Sequence, residues 1–293
     1  MKKQKVSKVF GLSLGLLFLC TTPACAAEIS HPVSSEEQQI NQEKILAELE
    51  KANVVYLGEH HDSLADHQAQ LEIIKALHKK NPQIAIGMEM FQRPFQGVID
   101  QYLAKEITEE ELIEGTEYEE RWGFPWEYYA PILRFAQENN LKVLALNTPR
   151  EITRKVARQG LESLTEEEQK YIPPLEEIRT DDEGYRQMLQ EVFQMHSHHG
   201  HGNSDGFERF FAAQVLWDET MAEVIAQFHK ANPKQQIVVL AGRGHVVYGY
   251  GIPQRVLRRI QEDSFTQLSV LLGLAEEEII DEEKEVIADY FWF

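Results

Sequence analysis

Val54-Val55-Tyr56-Leu57-Gly58-Glu59-His60-His61-Asp62 is the stretch from which the rest of the chain can be read. Four apolar, β-favouring residues arrive at a glycine, which is followed by a carboxylate, two imidazoles and a second carboxylate. This is the pattern of a buried strand that ends by presenting polar groups at its C-terminal tip. The arrangement returns near the other end of the chain, where Ile237-Val238-Val239-Leu240-Ala241 runs into Gly242-Arg243-Gly244-His245. Gly-x-x-His therefore occurs twice, each time directly after a β-rich apolar run. Glu89, in Gly87-Met88-Glu89-Met90, ends a third such run.

Outward from these runs the chain alternates. Strands are expected at residues 53–57, 83–90, 142–146 and 237–241, with two more at 266–272 and 286–293. Helical periodicity fills 41–52, 63–79, 126–139, 207–230 and the segment from Ile252 to about Glu262. Alternation of this kind implies an α/β fold with a mostly parallel sheet flanked by helices. The first two strands and their helix form a β-α-β unit, so a parallel pair with a right-handed crossover is expected. Two charged, strand-free segments, 106–123 and 150–205, interrupt the rhythm. Thr108 to Glu111 and Thr165 to Glu168 within them have the capping-box form, a hydroxyl at the N-cap and a carboxylate three residues on. Together they are expected to make a smaller helical subdomain capping the C-terminal edge of the strands.

The chain opens with Lys2, Lys3, Lys5 and Lys8, an apolar stretch from Val9 to Cys20, and Ala24-Cys25-Ala26. This is the form of an export signal over residues 1–26, too short to span about 30 Å of hydrocarbon comfortably. Residues 27–52 then read as a tether with a short helix, and 53–293 as the folded domain. A periplasmic or outer-membrane-associated protein is expected. A lipid anchor at Cys25 is a weaker reading, because Thr22-Pro23-Ala24 makes a poor lipoprotein box. Both cysteines, Cys20 and Cys25, lie in the leader, so the remaining chain has no disulfide, no thiolate ligand and no Cys-x-x-Cys-His for covalent haem. The whole chain carries 29 Lys and Arg against 48 Asp and Glu, a net −19. Without the four leader lysines the balance is about −23, which disfavours nucleic acid and anionic membrane as partners.

Ligands of open parallel sheets bind outside the carboxyl ends of the strands. If the four runs are parallel, that edge gathers Glu59, His60, His61, Glu89, Asn147, Arg150 and His245. Glu59, His61, Glu89 and His245 could hold zinc, manganese or another divalent metal, with a glutamate as general base. The same groups could instead brace the loops by hydrogen bonding to one another. Four imidazoles at His196, His198, His199 and His201 form a second signal, readable as a metal or haem-edge site or as a flexible loop. Tyr248 and Tyr250 follow His245, and Tyr128 and Tyr129 sit beside Trp126; a phenolate is an oxygen ligand suited to ferric haem. No Gly-x-Ser-x-Gly elbow, P-loop or dinucleotide fingerprint appears, which weighs against serine hydrolase, NTPase and Rossmann oxidoreductase readings.

Leu57-Gly58-Glu59-His60-His61-Asp62, Gly87-Met88-Glu89-Met90-Phe91, Leu146-Asn147-Thr148-Pro149-Arg150, Trp217-Asp218-Glu219-Thr220-Met221-Ala222 and Ala241-Gly242-Arg243-Gly244-His245-Val246, with Gly251-Ile252-Pro253, resemble the ChaN-like haem-binding family over roughly residues 50 to 262. The resemblance implies an exported bacterial protein of iron and haem acquisition, often lipid-anchored, and an α/β domain with a helical cap. It also implies non-covalent haem, with an iron-bound tyrosine and propionate partners such as histidine or lysine. On that reading His60, His61, Glu89, Arg150, His199, His245, Tyr248 and Tyr250 are the cofactor-binding candidates. A haem-linked homodimer and an outer-membrane haem receptor are the implied partners. The same motifs resemble the wider Tiki and TraB-like group, related to erythromycin esterase, whose hydrolases supply the alternative: a metallohydrolase using Glu59, His61, Glu89 and His245. A third reading, a binding module for another small ligand, shares the fold but neither chemistry. Of the three, an exported haem-binding protein is the expectation.

Overall fold

The structure is a computed structural model that describes residues 35–196, 204–273 and 286–293. The elements in chain order are α1 (Ser35–Leu49), β1 (Val54–Glu59), α2 (Leu64–Lys80), β2 (Ile84–Gln92), α3 (Gln96–Leu103), α4 (Glu109–Gly115), α5 (Tyr118–Arg121) and α6 (Ala130–Glu138). β3 (Lys142–Asn147), α7 (Arg150–Gln159), α8 (Glu166–Gln169), α9 (Glu183–His196), α10 (Ser204–Ala231), β4 (Gln236–Gly242), α11 (Ile252–Arg259), β5 (Gln267–Leu272) and β6 (Tyr290–Trp292) follow. All six strands belong to one parallel sheet in the order β3-β2-β4-β1-β5-β6. The α/β architecture expected from the alternating pattern is therefore present.

One expectation needs correcting. β1 and β2 are parallel but not paired, because β4 lies between them and pairs with both. β4 carries the run Ile237-Val238-Val239-Leu240-Ala241, buried throughout, and a strand with two apolar faces gains most from the middle of a sheet covered on both sides. The first helix also starts earlier than expected, at Ser35 rather than Asn41.

Side-chain alternation along the strands separates two cores. Val55, Leu57, Ile86, Met88, Val143, Val238 and Leu240 face one side and pack against α1, α2, α3, α4 and α6. Val54, Tyr56, Leu144, Leu146, Ile237 and Val239 face the other, against Met221, Ala222 and Ile225 of α10 and Ile252 and Val256 of α11. A third cluster joins Ile152 and Val156 of α7, Tyr185 and Leu189 of α9, and Phe207, Phe211 and Leu216 of α10. This is the helical subdomain, and α10 belongs to both it and the sheet. At 28 residues, α10 is about 42 Å long at 1.5 Å per residue. The segment 106–123 does not join that subdomain: Leu112 and Tyr118 bury in the first core, beneath the sheet's other face. Both expected capping boxes form, at Thr108 with Glu111 and at Thr165 with Glu168. No described helix is long and apolar enough to cross a membrane.

Candidate functional site

Register fixes the edge. Glu59 lies level with Gly242 across the β1–β4 pair, and Gln92 level with Asn147 across β2–β3 after an irregularity that follows Met88. The tips of four strands therefore open on one side. The loop after β1 is held by Asp66, whose carboxylate accepts hydrogen bonds from the His60 backbone N–H (2.8 Å) and the Ser63 hydroxyl (2.7 Å). Ser63 caps α2 in turn. This leaves the His60 side chain in solvent and turns His61 inward.

Two carboxylate networks form the floor. In the first, Glu59 is buried and accepts hydrogen bonds from His61 Nδ1 (2.8 Å), the Tyr129 hydroxyl (2.5 Å) and Gln70 Nε2 (2.5 Å). His67 Nδ1 stands 3.5 Å away. Burial pushes the Glu59 carboxyl up, but the bonds from His61, His67 and Tyr129 outweigh it and hold it at about 2. Burial lowers the His61 and His67 imidazoles, and the neighbouring Glu59 carboxylate reverses that and raises both. In the second network, Glu89 Oε2 accepts the Gly242 N–H at 2.7 Å, while His245 Nε2 reaches toward Oε1 at 3.5 Å. His245 Nδ1 donates to Asp218 at 2.6 Å, and the Tyr185 hydroxyl donates to the other Asp218 oxygen. Burial would lower His245, yet the Glu89 and Asp218 charges bring it up to about 10. Glu89 is lowered for the reciprocal reason, against its own burial.

The two networks meet at Gly242. A Cβ there would sit 2.7 Å from His61 Nε2, so no larger residue fits without displacing the ring. Asn147 braces the Glu89 backbone, donating to its carbonyl at 2.7 Å and accepting the Trp217 indole N–H.

Above the floor lies a cavity of about 540 Å³. Trp122, Phe124, Phe210 and Trp217 supply aromatic wall, and Arg121, Arg150 and Arg154 stand at its rim. Arg121 is paired with Glu117 (2.6 Å) and Glu151 (3.0 Å), and Arg150 donates to the Glu120 carbonyl. Arg154, exposed and one turn beyond Arg150 on α7, makes no ion pair among the described residues. The buried Thr148 hydroxyl, also in the wall, has no hydrogen-bond partner among the described residues.

Of the sequence candidates, Glu59, His61, Glu89, Asn147, Arg150 and His245 come together at this edge. Tyr248 and Tyr250 do not. Tyr250 packs beside Gly184 and Tyr185 in the helical subdomain, and Tyr248 lines a separate hollow with Gln267 and Asp289. The turn after His245 separates them from it, with Tyr248 in a left-handed backbone (φ 56°). Tyr129 is buried behind the floor with its hydroxyl on Glu59. Cys25, His198, His199 and His201 lie outside the described residues. The divalent-metal alternative also finds no support: among the described residues no three His, Asp or Glu side chains are disposed to hold an ion, and each floor carboxylate already accepts hydrogen bonds.

Asp218, His67 and Gln70 brace the floor without standing out in the sequence as site residues, and Tyr129, a candidate phenolate ligand by its sequence, serves instead as a hydrogen-bond donor to Glu59. Asp218 had a usable signal, since it lies in the Trp217-Asp218-Glu219-Thr220 motif. His67 and Gln70 sit at i, i+3 on the inner face of α2 and look there like ordinary helix polar residues.

A family profile described as "Haem-binding uptake, Tiki superfamily, ChaN" matches residues 45–256. The chain is 28% identical over 276 residues to the chloroplastic protein RETICULATA-RELATED 5 of Arabidopsis thaliana, covering 86% of this chain; the chain spans about a third of that relative's length, 35%. Among solved structures, that of cofacial haem binding to ChaN of Campylobacter jejuni matches with a TM-score of 0.67 at 21% identity, over 85% of this chain and 90% of that one. An erythromycin esterase in its open conformation matches at TM-score 0.46 and 16% identity over 80% of this chain and 73% of that one, too distant a likeness to carry an argument.

Proposed function

The chain belongs to the haem-binding-uptake ChaN family of the Tiki superfamily, and from that premise we propose that the cavity at the strand edge takes haem. The observation that carries the reading is the chemistry of its wall. Haem is an apolar aromatic plane with two carboxylates on one side. Trp122, Phe124, Phe210 and Trp217 offer stacking and apolar contact for the plane. Arg150 and Arg154 offer guanidiniums for the propionates, at a positively charged rim in a chain of net charge −19. The volume lies within the usual few hundred to thousand Å³ of small-molecule and cofactor sites. When bound, haem would supply an iron centre to be carried.

A haemin titration of the purified protein, followed at the Soret band, tests this. Saturable one-site binding is expected, and Ala157→Trp should abolish it without changing the melt. Ala157 lies in the cavity wall yet is exposed, so the added indole fills the cavity rather than the core. Absence of saturable binding by the unaltered protein overturns the reading.

The hydrolase alternative is less well supported by the floor's electrostatics. His245 stands behind the cavity wall with Nδ1 on Asp218 and Nε2 toward Glu89, and those two carboxylates favour its protonated form, which suits a brace better than a general base. Export by the 1–26 leader, a role in iron acquisition, a haem-linked homodimer and an outer-membrane receptor are further parts of the proposal, resting on the leader pattern and the family resemblance. Cell fractionation tests the first. Sedimentation with and without haemin tests the dimer.

A further inference from the structure

We infer that a second ligand site, for a small oxyanion bearing a carboxylate or phosphate group, lies between α11 and the turn that leads into α9. A hollow of about 380 Å³ opens there, and it shares no lining residue with the aromatic cavity at the strand edge. Three guanidiniums, Arg179, Arg255 and Arg258, line it in a chain whose net charge is −19. The exposed apolar side chain of Leu257 stands beside them.

The sequence gathers the charge. Arg255, Arg258 and Arg259 stand at i, i+3 and i+4 on α11, so one face of the helix brings all three to Glu219 of α10. Glu219 is fully buried and meets them at 3.4, 2.7 and 2.5 Å. Glu177 adds a second carboxylate, 3.5 Å from Arg259. Two carboxylates thus face three guanidiniums. The remaining acids of the hollow are already engaged. Asp181 accepts hydrogen bonds from Arg179 Nε and Nη2 through both its oxygens. Asp182 accepts the Tyr185 N–H at 2.8 Å at the start of α9, where the helix dipole offsets its charge. Burial and the guanidiniums of Arg259, Arg179 and Arg255 lower Arg258 below an ordinary arginine, although Glu219 opposes them. Positive charge is crowded at this point, and an entering anion relieves it.

The donors such an anion needs are left over from the network. Arg258 reaches Glu219 and the Glu177 carbonyl through Nη2 alone, so its Nε and Nη1 have no hydrogen-bond partner among the described residues. Its side chain is 33% exposed, which leaves it open to a ligand. Arg255 uses Nη1 for the Tyr250 and Gly251 carbonyls and keeps Nη2, with its guanidinium set over the Tyr185 ring at 4.9 Å. Arg179 keeps Nη1. Guanidinium N–H groups suit carboxylate and phosphate oxygens, and such charge-assisted bonds are the strong ones. Because the hollow joins the entry of α9 to α11, a bound anion ties the helical subdomain to the helices that cover the sheet.

Isothermal titration calorimetry of the protein with inorganic phosphate and, separately, with succinate tests the site, each against sodium chloride at equal ionic strength. One saturable site is expected for phosphate or succinate and none for chloride, and the anion that binds more tightly fixes the chemical class. Arg258→Gln removes the central donor and Leu257→Glu sets a carboxylate beside it. Each should weaken binding about tenfold or more. Leu257 is exposed, so its variant leaves the buried Glu219 network in place should Arg258→Gln fold poorly. The bound anion should also raise the melting temperature of the unaltered protein more than that of either variant. Heats indistinguishable from chloride for both anions overturn the inference, as does binding that either folded variant keeps at full affinity.

Discussion

His245 is the residue on which the electrostatics of the site turn. It is buried between Glu89 and Asp218, and its raised pKa is a statement about stability as well as charge. The unfolded imidazole titrates near 6.5, whereas the folded one holds its proton to about 10. The stabilisation is therefore complete below about 6.5 and is lost as pH rises toward 10. Glu59 runs the opposite way: its contribution is present above the unfolded value near 4.3 and is lost as pH falls through about 2. Asp218→Asn should lower the melting temperature at pH 7 and flatten its decline between pH 7 and 10. An unchanged slope in that variant, measured by calorimetry across the range, would show that His245 does not carry the alkaline limb. Truncating a partner of a buried charge pair costs about 3–5 kcal/mol, so Asp218→Ala should cost about that in a denaturant titration. Gly242→Ala should destabilise by about 1–3 kcal/mol, as overpacking does, because its methyl would meet His61. A neutral result there would mean that the ring is free to move aside.

At the scale of elements, α7 is the helix that gives the cavity its charge. Arg150 and Arg154 are four residues apart, so one face of the helix presents both to the rim. An arginine near a bound carboxylate acts partly through a field that salt screens over about 8–10 Å. Arg154→Ala should weaken haemin binding several-fold at low salt, with the difference shrinking in molar salt. If the two proteins bind alike at low salt, α7 holds no propionate. α4 offers the matching control. Its Thr108–Glu111 capping box lies on the sheet's opposite face, so Thr108→Ala should cost about 1 kcal/mol of stability and leave haemin affinity unchanged.

For the whole molecule, α10 is the joint. Its first half packs Phe207, Phe211 and Leu216 into the helical subdomain, and its second half packs Met221, Ala222 and Ile225 onto the sheet. Asp218 and Glu219 sit between. Glu219 is fully buried and gathers Arg258 and Arg259 at 2.7 and 2.5 Å from α11 and its end. A helix cannot melt in one half without disturbing the other at this shared core, so cap and sheet should unfold together. Tryptophan fluorescence, which reports on the cavity through Trp122 and Trp217, should trace the same denaturant curve as far-UV circular dichroism. Separate midpoints would show that the cap is an independent unit.

The sequence by itself determined the strands and which of their ends carries chemistry. Strand identity is local: an apolar run buries both faces of its own backbone, and the glycine and polar residues that follow mark where burial stops. Hence Gly58-Glu59 and Gly242-x-x-His245 could be placed on one edge from their pattern alone, and both capping boxes could be read from spacing. Only the tertiary structure decided the order of the strands, which put β4 between β1 and β2, because that order depends on competition among several buried runs far apart in the chain. The same holds for the partners of the site. Asp218, His67, Gln70 and Tyr129 come from two helices and a turn, and nothing local to any of them announces the carboxylate or imidazole that it will meet. Tyr248 and Tyr250 show the converse: they lie within five residues of His245 in sequence, yet after the intervening turn neither lines the cavity.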